Sequence, residues 1–263
     1  IKGGGLARAC RAGQLISLII SDVLGDPLDV IASGPTVANS ATASDALAVL
    51  EQFGAREAGI SSSVFEVLQR RANEGVASGS KSASSFIDRV HNIIIGNNAT
   101  AVDAAGMEAE RRGYSHAMHA ATQLEADAEE VGRHLARMAR RMHAEAGPDC
   151  LITGGEPVVQ LADAAIRGKG GRNQQLVLAA LHQLQTSAPP KQNPLGGILL
   201  LSGGTDGEDG PTDAAGAFID AELAEQAQRK QLGPADFLNR TDAYHFFEPI
   251  DTLIKTGPTH TNV

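Results

Sequence analysis

The chain has 263 residues, enough for one large or two medium α/β domains with apolar cores of their own. Its formal net charge is −9, it has no Trp, and only 3% of its residues are aromatic. This composition argues against a nucleic-acid partner, because such surfaces need basic patches or aromatic side chains on which bases stack. No segment resembles a signal peptide or a membrane span, so we expect a cytoplasmic protein without a membrane partner.

Apolar runs alternate with helical segments along the chain, which favours an α/β fold with mostly parallel sheets. Short apolar runs that end in Gly or polar residues predict strands at 14–20, 90–95, 116–121, 150–152 and 197–201. Composition and capping residues predict helices at 44–53, 61–73, 99–112, 125–145, 174–184 and 214–227. The polar stretch 74–85 is the best candidate for a linker. Short antiparallel edge strands are expected within 241–261.

The two cysteines, Cys10 and Cys150, lack metal-ligand spacing, and we expect both to be thiols in a reducing compartment. The chain opens inside a polar Gly-rich segment without an initiating Met, and it stops directly after another such segment. We therefore expect a fragment of a longer protein.

The segment Gly203 to Asp213 is the most informative stretch of the chain. It combines four Gly with three Asp and follows an apolar run, and we expect it to join a strand end to a helix start. Ligands usually bind at that position of an α/β sheet, although Asp and Gly also dominate ordinary turns. Similar polar Gly-rich segments occur at 21–36, 153–174 and 256–263. Together they predict one cleft built from several strand ends.

The residue types in these segments suit phosphate chemistry. Exposed N–H groups at Gly170 and Gly171, a helix start and the Arg172 guanidinium predict an anion site. Thr259, Thr261 and Asn262 add further donors. Carboxylates suited to Mg²⁺ stand at Asp22, Asp26, Asp206 and Asp209, although Asp22 has a second interpretation as a cap of its own loop. Anion loops beside carboxylates are what phosphoryl transfer requires.

Other common nucleotide and nucleophile motifs do not occur. The sequence contains no Gly-x-x-x-x-Gly-Lys-Ser/Thr, and Asn173 stands where the third Gly of the dinucleotide fingerprint would be. A Gly-x-Ser-x-Gly elbow is also missing.

Six motifs, in this order, closely resemble the type II glycerate kinases, whose C-terminal part is called the MOFRL domain. They are Ser21 to Pro27, Ile31 to Thr36, Gly154 to Pro157, Gly170 to Gln174, Gly204 to Thr212 and Gly257 to Val263. The opening Lys2 to Ala7 is also similar to the family. The resemblance spans essentially the whole chain.

The resemblance implies a kinase that uses ATP and Mg²⁺ to convert D-glycerate into 2-phosphoglycerate or 3-phosphoglycerate. It also implies two α/β domains with the active site in the cleft between them. Residues 1–85 would be part of a Rossmann-like N-terminal domain. Residues 90–263 would form the C-terminal domain, with its MOFRL segment from about residue 150. The sequence does not fix the oligomeric state, and a homodimer is the candidate assembly.

The resemblance and the residue chemistry together assign roles within this cleft. Arg172 and Asp206 are the predicted catalytic residues. The predicted metal ligands are Asp22, Asp26 and Asp209. The predicted substrate or phosphate contacts are Lys2, Ser33, Glu156, Gly170, Gly171, Asn173, Thr259, Thr261 and Asn262.

The chain departs from the family pattern at three positions. Val158 stands in place of a usual Thr, Gln175 in place of a usual Glu, and His260 in place of a usual Gly. His260 matters most, because a Cβ there is unfavourable if the backbone needs a positive φ. The upstream Lys and the Ser-Gly-Gly-x-Ser-Ala loop of the family are not in this sequence, so we expect these residues alone to have impaired activity. The alternatives are a hydroxypyruvate reductase and a non-catalytic ligand-binding fragment.

Overall fold

A computed structural model describes residues 2–38, 41–77, 87–122, 126–188 and 193–263. The chain divides into two compact units. The first unit is Ile1–Ile19 with Asp26–Ile95, and the second is Ile20–Gly25 with Gly96–Val263.

The first unit contains α1 (Gly5–Ala9), β1 (Leu15–Ile20), α2 (Ala43–Gln52), α3 (Ser62–Ala77) and β2 (Val90–Gly96), with the last residues of β1 and β2 assigned to the second unit. β1 pairs with β2. Helix α2 begins at a capping box, in which Thr42 Oγ1 accepts from the Asp45 N–H at 3.1 Å and Asp45 Oδ2 accepts from the Thr42 N–H at 2.7 Å. The first four residues of the predicted linker continue α3, and its remainder lies outside the described residues.

The second unit begins with a parallel strand pair. Its elements are α4 (Asn98–Arg111), β3 (His116–Ala120), α5 (Ala128–Ala144), β4 (Cys150–Gly154) and α6 (Arg172–Ser187). β3 runs parallel to β4, with His116 opposite Cys150. Helices α5 and α6 pack so closely at Gly132 that a Cβ there would collide with the Leu176 carbonyl oxygen. Because Gly132 has no side chain, the backbone of α5 can lie directly against the backbone of α6.

The second unit continues with an antiparallel sheet. Its remaining elements are β5 (Leu200–Gly203), β6 (Gly216–Ile219), α7 (Ala221–Arg229), α8 (Pro234–Asn239), α9 (Ala243–Phe247) and β7 (Leu253–Ile254). β6 lies between β5 and β7 and is antiparallel to both. The α/β class predicted from the sequence is confirmed, and of the short antiparallel strands expected within 241–261 the described residues contain one, β7.

The predicted helix at 214–227 is wrong over its first half, which forms β6. The segment is Ala-rich, and Ala has the highest helix propensity, but Ala217 and Ile219 are fully buried in the sheet. Tertiary burial therefore decides its conformation. The segment Gly203 to Asp213 consequently joins two antiparallel strands, not a strand to a helix.

Helix α6 forms the centre of the apolar core of the second unit. Val177, Leu178, Leu181 and Leu184 are fully buried, and Phe246 and Phe247 pack edge to face at 5.1 Å in the same core. This packing fixes the axis of α6, and with it the position of the first residues of the helix. In the described ranges, no helix combines the length and apolar character needed to cross a membrane.

Candidate active site

A cavity of about 300 Å³ in the second unit contains six of the predicted site residues. The loop after β4, the start of α6, the loop after β5, the C-terminal residues and the segment 21–24 all line it. The predicted residues in its wall are Asp22, Glu156, Arg172, Asn173, Asp206 and Asn262. As expected from the sequence, residues of several polar Gly-rich segments thus line one cavity.

Arg172 is the first residue of α6, and its side chain is half-exposed. Its Nη1 lies 2.8 Å from Glu156 Oε1, so a carboxylate orients the guanidinium at the cavity wall. An ion pair this exposed adds little stability, typically about 0.2–1 kcal/mol. The ion pair therefore matters for geometry: it holds a cation in the wall of the cavity, where the cation can attract an anionic ligand.

Asp209 holds the start of α6 in place. Its Oδ1 accepts from the Asn173 N–H at 3.0 Å and from Asn173 Nδ2 at 3.1 Å, while its Oδ2 accepts from the Gln174 N–H at 2.9 Å. The residue is only 2% exposed. Burial raises the pKa of the Asp209 carboxyl, although the hydrogen bonds from Asn173 and Gln174 act in the opposite direction. Asp209 therefore caps a helix that begins far away in the sequence.

This cap changes the interpretation of the Gly-rich anion loop. The N–H groups at the start of α6 donate to Asp209, and the Lys169 N–H donates to Asp242 Oδ1 at 2.8 Å. The loop glycines permit close contact between protein segments, because a Cβ on Gly168 would collide with Asp242 and one on Gly171 would collide with Asp209. The helix end thus already binds a carboxylate of the protein itself.

We expect Gly171→Ala to lower the free energy of unfolding by roughly 2–3 kcal/mol, because the added methyl group overpacks the contact with Asp209. Gly196→Ala is the matched control, since among the described residues its Cβ would meet only the Asn193 carbonyl oxygen, at 3.5 Å. Urea unfolding of both variants measures the difference. Equal stability of the two variants would contradict the close contact.

The C-terminal segment folds onto the loop that follows β5. The Thr259 N–H donates to the Asp206 carbonyl oxygen at 2.9 Å, and Thr205 Oγ1 donates to the Val263 carbonyl oxygen at 3.1 Å. Asp206 Oδ1 accepts from the Glu208 N–H at 3.0 Å, which orients its carboxylate. Asn262 Nδ2 donates to Asp22 Oδ2 at 3.2 Å. Thr259 and Thr261 are exposed on this segment outside the cavity wall.

His260 has a φ of 58°, the left-handed conformation anticipated for this position. We expect His260→Gly to raise the free energy of unfolding by about 0.5 kcal/mol, because this region costs an L-residue about 1 kcal/mol and the extra unfolded-state entropy of Gly offsets part of the gain. His260→Ala keeps the Cβ and should show no gain. Urea unfolding compares the two, and equal stability would refute the strain.

Three predicted residues, Lys2, Asp26 and Ser33, lie in the first unit and not in the wall of this cavity. The Gly3 N–H donates to the Ser33 carbonyl oxygen at 2.8 Å, which places the Lys2 loop beside Ser33. Asp26 and Ser33 both have a positive φ, at 54° and 62°. The first unit therefore presents its own pair of adjoining polar loops.

The three predicted metal ligands occupy different environments. Asp22 lines the cavity, Asp26 belongs to the first unit, and Asp209 is buried against α6. Within the described residues, no group of three or more His, Cys, Asp or Glu side chains could by itself hold a metal ion.

Several polar contacts of the first residues of α6 were not predicted from the sequence. Ser202 Oγ donates to Asn173 Oδ1 at 2.7 Å, and the buried Gln174 donates through Nε2 to Thr212 Oγ1 at 3.0 Å. Buried Gln175 donates to Glu129 Oε1 at 3.0 Å and to the Leu238 carbonyl oxygen at 3.2 Å. Both partners of Gln175 are acceptors, so an amide suits this position better than a carboxylate. The only sign of these contacts in the sequence is the pair Gln174 and Gln175 at the start of an otherwise apolar helix.

Comparisons with known proteins agree with this architecture. Residues 149–263 match the MOFRL family, and residues 1–69 match a domain of unknown function, DUF4147. A glycerate kinase of Macaca fascicularis is 38% identical, with an alignment that covers all of this chain and 74% of the relative. The D-glycerate 2-kinase of Thermotoga maritima is 35% identical over all of this chain and 58% of its own length.

A solved structure supports the same relationship. The crystal structure of glycerate kinase from Thermotoga maritima superimposes with a TM-score of 0.78 at 35% sequence identity, covering 100% of this chain and 58% of that one. The chain spans little more than half the length of most of the curated relatives it matches. With the macaque relative covered over about three quarters of its length, the chain belongs to the glycerate kinase family.

Proposed function

We propose that this chain is the larger part of an ATP-dependent kinase that phosphorylates D-glycerate, with 2-phosphoglycerate as the product. The observation that carries the proposal is the half-exposed Arg172 at the start of α6, held by Glu156 in a cavity that also contains Asp22 and Asp206. The choice of product follows the Thermotoga maritima relative, which is a D-glycerate 2-kinase. Family membership supports the substrate class.

In the proposed reaction a glycerate hydroxyl oxygen bonds to the γ-phosphorus of ATP, and the bond to the ADP oxygen breaks. Arg172 stabilises the charge that develops on the transferred phosphoryl group. Asp206, oriented by the Glu208 N–H, accepts the hydroxyl proton. Glu156 holds the guanidinium in position.

Mg²⁺ is proposed to neutralise phosphate charge when ATP is bound. Mg²⁺ is usually held by one or two protein carboxylates together with substrate phosphates and water, so the sparse set of cavity carboxylates fits it. We propose Asp22 as the protein ligand. We place Asp209 in a positioning role instead, because its oxygens already accept three hydrogen bonds from α6. A metal-binding role for Asp26 stays a prediction.

The predicted substrate contacts divide into two groups. We propose Asn262 as a direct contact, since it lines the cavity beside Asp22. Asn173 is proposed to position the site, because both ends of its amide are engaged by Asp209 and Ser202. Contacts from Lys2, Ser33, Gly170, Gly171, Thr259 and Thr261 stay predictions. So do the domain division at 1–85 and 90–263, the homodimer and the cytoplasmic location.

The test is an assay of the complete reading frame that contains this chain, with D-glycerate, ATP and Mg²⁺. Phosphorus NMR distinguishes the two phosphoglycerates, and we expect 2-phosphoglycerate to accumulate with ADP. A parallel assay follows NADH oxidation with hydroxypyruvate as the substrate. Turnover in that assay would mean that the protein is a reductase and not the proposed kinase. A folded protein without either activity would reject the proposal in favour of a ligand-binding role.

A further inference from the structure

Tyr244 forms a polar cluster outside the wall of the cavity. The residue lies on α9 and is only 5% exposed. Its hydroxyl donates to Asp213 Oδ1 at 2.8 Å and accepts from Lys255 Nζ at 3.2 Å, while Lys255 Nζ also donates to Asp213 Oδ2 at 2.9 Å. The three side chains thus close a triangle of hydrogen bonds, in which each group contacts both others.

Tyr244 also holds the loop that precedes Arg172. The Lys169 ammonium lies 4.1 Å from the centre of the Tyr244 ring, which is a cation–π contact. The Tyr244 N–H donates to the Lys169 carbonyl oxygen at 3.0 Å. The ring and the backbone N–H of Tyr244 therefore both contact Lys169, while its hydroxyl contacts Asp213 and Lys255.

The partners of Tyr244 come from three segments that supply the candidate site. Lys169 shortly precedes Arg172, Asp213 ends the loop that carries Asp206 and Asp209, and Lys255 leads into the terminal segment that carries Asn262. None of Lys169, Asp213, Tyr244 or Lys255 lines the cavity. Any effect of the cluster on the site would therefore pass through the backbone of these segments.

We propose that Tyr244, together with Asp213 and Lys255, is a positioning device that sets the relative placement of the three segments around Arg172. Its effect on turnover rests on the proposed kinase function. A phosphoryl-transfer site depends on such placement, because a displacement of about 1 Å can cost about 100-fold in rate. Because Tyr244 contacts all three segments, the loss of its hydroxyl should displace them together.

The cluster keeps its charges throughout the neutral range. Hydrogen bonds from Lys255 and Tyr244 hold the pKa of Asp213 at about 2, and Asp213 raises the pKa of Lys255 to about 12. The cluster therefore acts as a fixed anchor and not as a pH switch. Any pH dependence of turnover near neutrality must come from other groups.

The first experiment compares Tyr244→Phe with Tyr114→Phe in the complete kinase. Tyr244→Phe keeps the ring and its contact with Lys169 but removes the hydroxyl from the triangle. Tyr114 is 52% exposed and provides the same chemical change elsewhere. We expect kcat to fall about tenfold in Tyr244→Phe with KM for glycerate changed less than about twofold, and no change in Tyr114→Phe. A kcat within twofold of wild type, from an active wild type, overturns the proposal.

A second pair of variants tests the cationic corner of the triangle. Lys255→Met should reproduce the loss of kcat, and Lys255→Arg should restore most of it, because a guanidinium can donate to both oxygens. The double variant Tyr244→Phe with Lys255→Met should lose less than the sum of the two effects, since both break one network. Independent, additive losses contradict a shared device.

A third measurement separates this proposal from the proposed kinase function. Hydrogen–deuterium exchange of peptides covering 168–172 and 203–213 does not need activity. We expect about tenfold faster exchange there in Tyr244→Phe, and wild-type exchange in Tyr114→Phe. If the wild type proves inactive toward glycerate, faster exchange still supports the positioning role while the kinase proposal fails. Unchanged exchange overturns the positioning role whatever the activity.

Discussion

Replacing Arg172 with Ala in the full-length protein is expected to lower kcat of the proposed kinase reaction by about 100-fold to 1,000-fold while the fold is kept. The guanidinium stands at the start of α6, in the wall of the cavity that also contains Asp22 and Asp206. In the proposed reaction, a cation at this position would stabilise the charge on the phosphoryl group during its transfer, and such electrostatic stabilisation is a main contribution of the protein to phosphoryl transfer. The fold should tolerate the change, because the ion pair that Arg172 forms with Glu156 is exposed and adds little stability.

Steady-state kinetics and thermal unfolding together measure this effect. Arg172→Lys keeps the charge but loses the planar donor pair, so an intermediate kcat is expected. Arg167→Ala is the matched control, because this nearby Arg donates to the Ala162 carbonyl oxygen and does not line the cavity. Wild-type turnover in Arg172→Ala would remove Arg172 from the mechanism.

Replacing Asp209 with Ala is expected to lower the free energy of unfolding by about 3 kcal/mol, because two N–H groups at the start of α6 and the Asn173 amide lose their buried acceptor. The cost exceeds that of an ordinary helix cap, since the site is closed to the water that could replace the carboxylate. The proposed kinase activity should also fall, because Arg172 and Asn173 begin the helix that Asp209 holds.

Asp220→Ala is the matched control for this prediction. Asp220 caps α7 through a single bond to the Leu223 N–H at 3.0 Å, and it is only partly buried, so its loss should cost about 1 kcal/mol. Asp209→Asn retains one acceptor oxygen, so its loss of free energy of unfolding should be smaller than that of Asp209→Ala. It replaces Asp209→Ala in the comparison if the Ala variant does not fold. Unfolding in guanidinium chloride measures the free energy of unfolding of all three variants. A cost for Asp209→Ala no larger than that for Asp220→Ala would reject the special role of this cap.

Sequence patterns predicted the elements whose burial is local and regular. The runs around His116 and Cys150 became β3 and β4, and the segment around Asn98 became α4, each within about two residues, the usual uncertainty of an element boundary. The segment after Asp213 was misassigned, because Ala217 and Ile219 reveal their strand only through pairing with Ser202 and Leu200. Short strands with small residues carry little periodic signal.

The candidate site shows the same division. The sequence by itself determined the family resemblance, the α/β class and the importance of the Gly-rich segments, because motif order and strand–helix alternation are properties of the linear chain. Only the tertiary structure decided that Asp209 caps α6, that Asp22 and Asp206 share a cavity with Arg172, and that Tyr244 joins three loops. A carboxylate is chemically the same in a metal site and in a helix cap. Its role depends on which donors the fold brings to it, and for Asp209 those donors lie some 35 residues away in the chain.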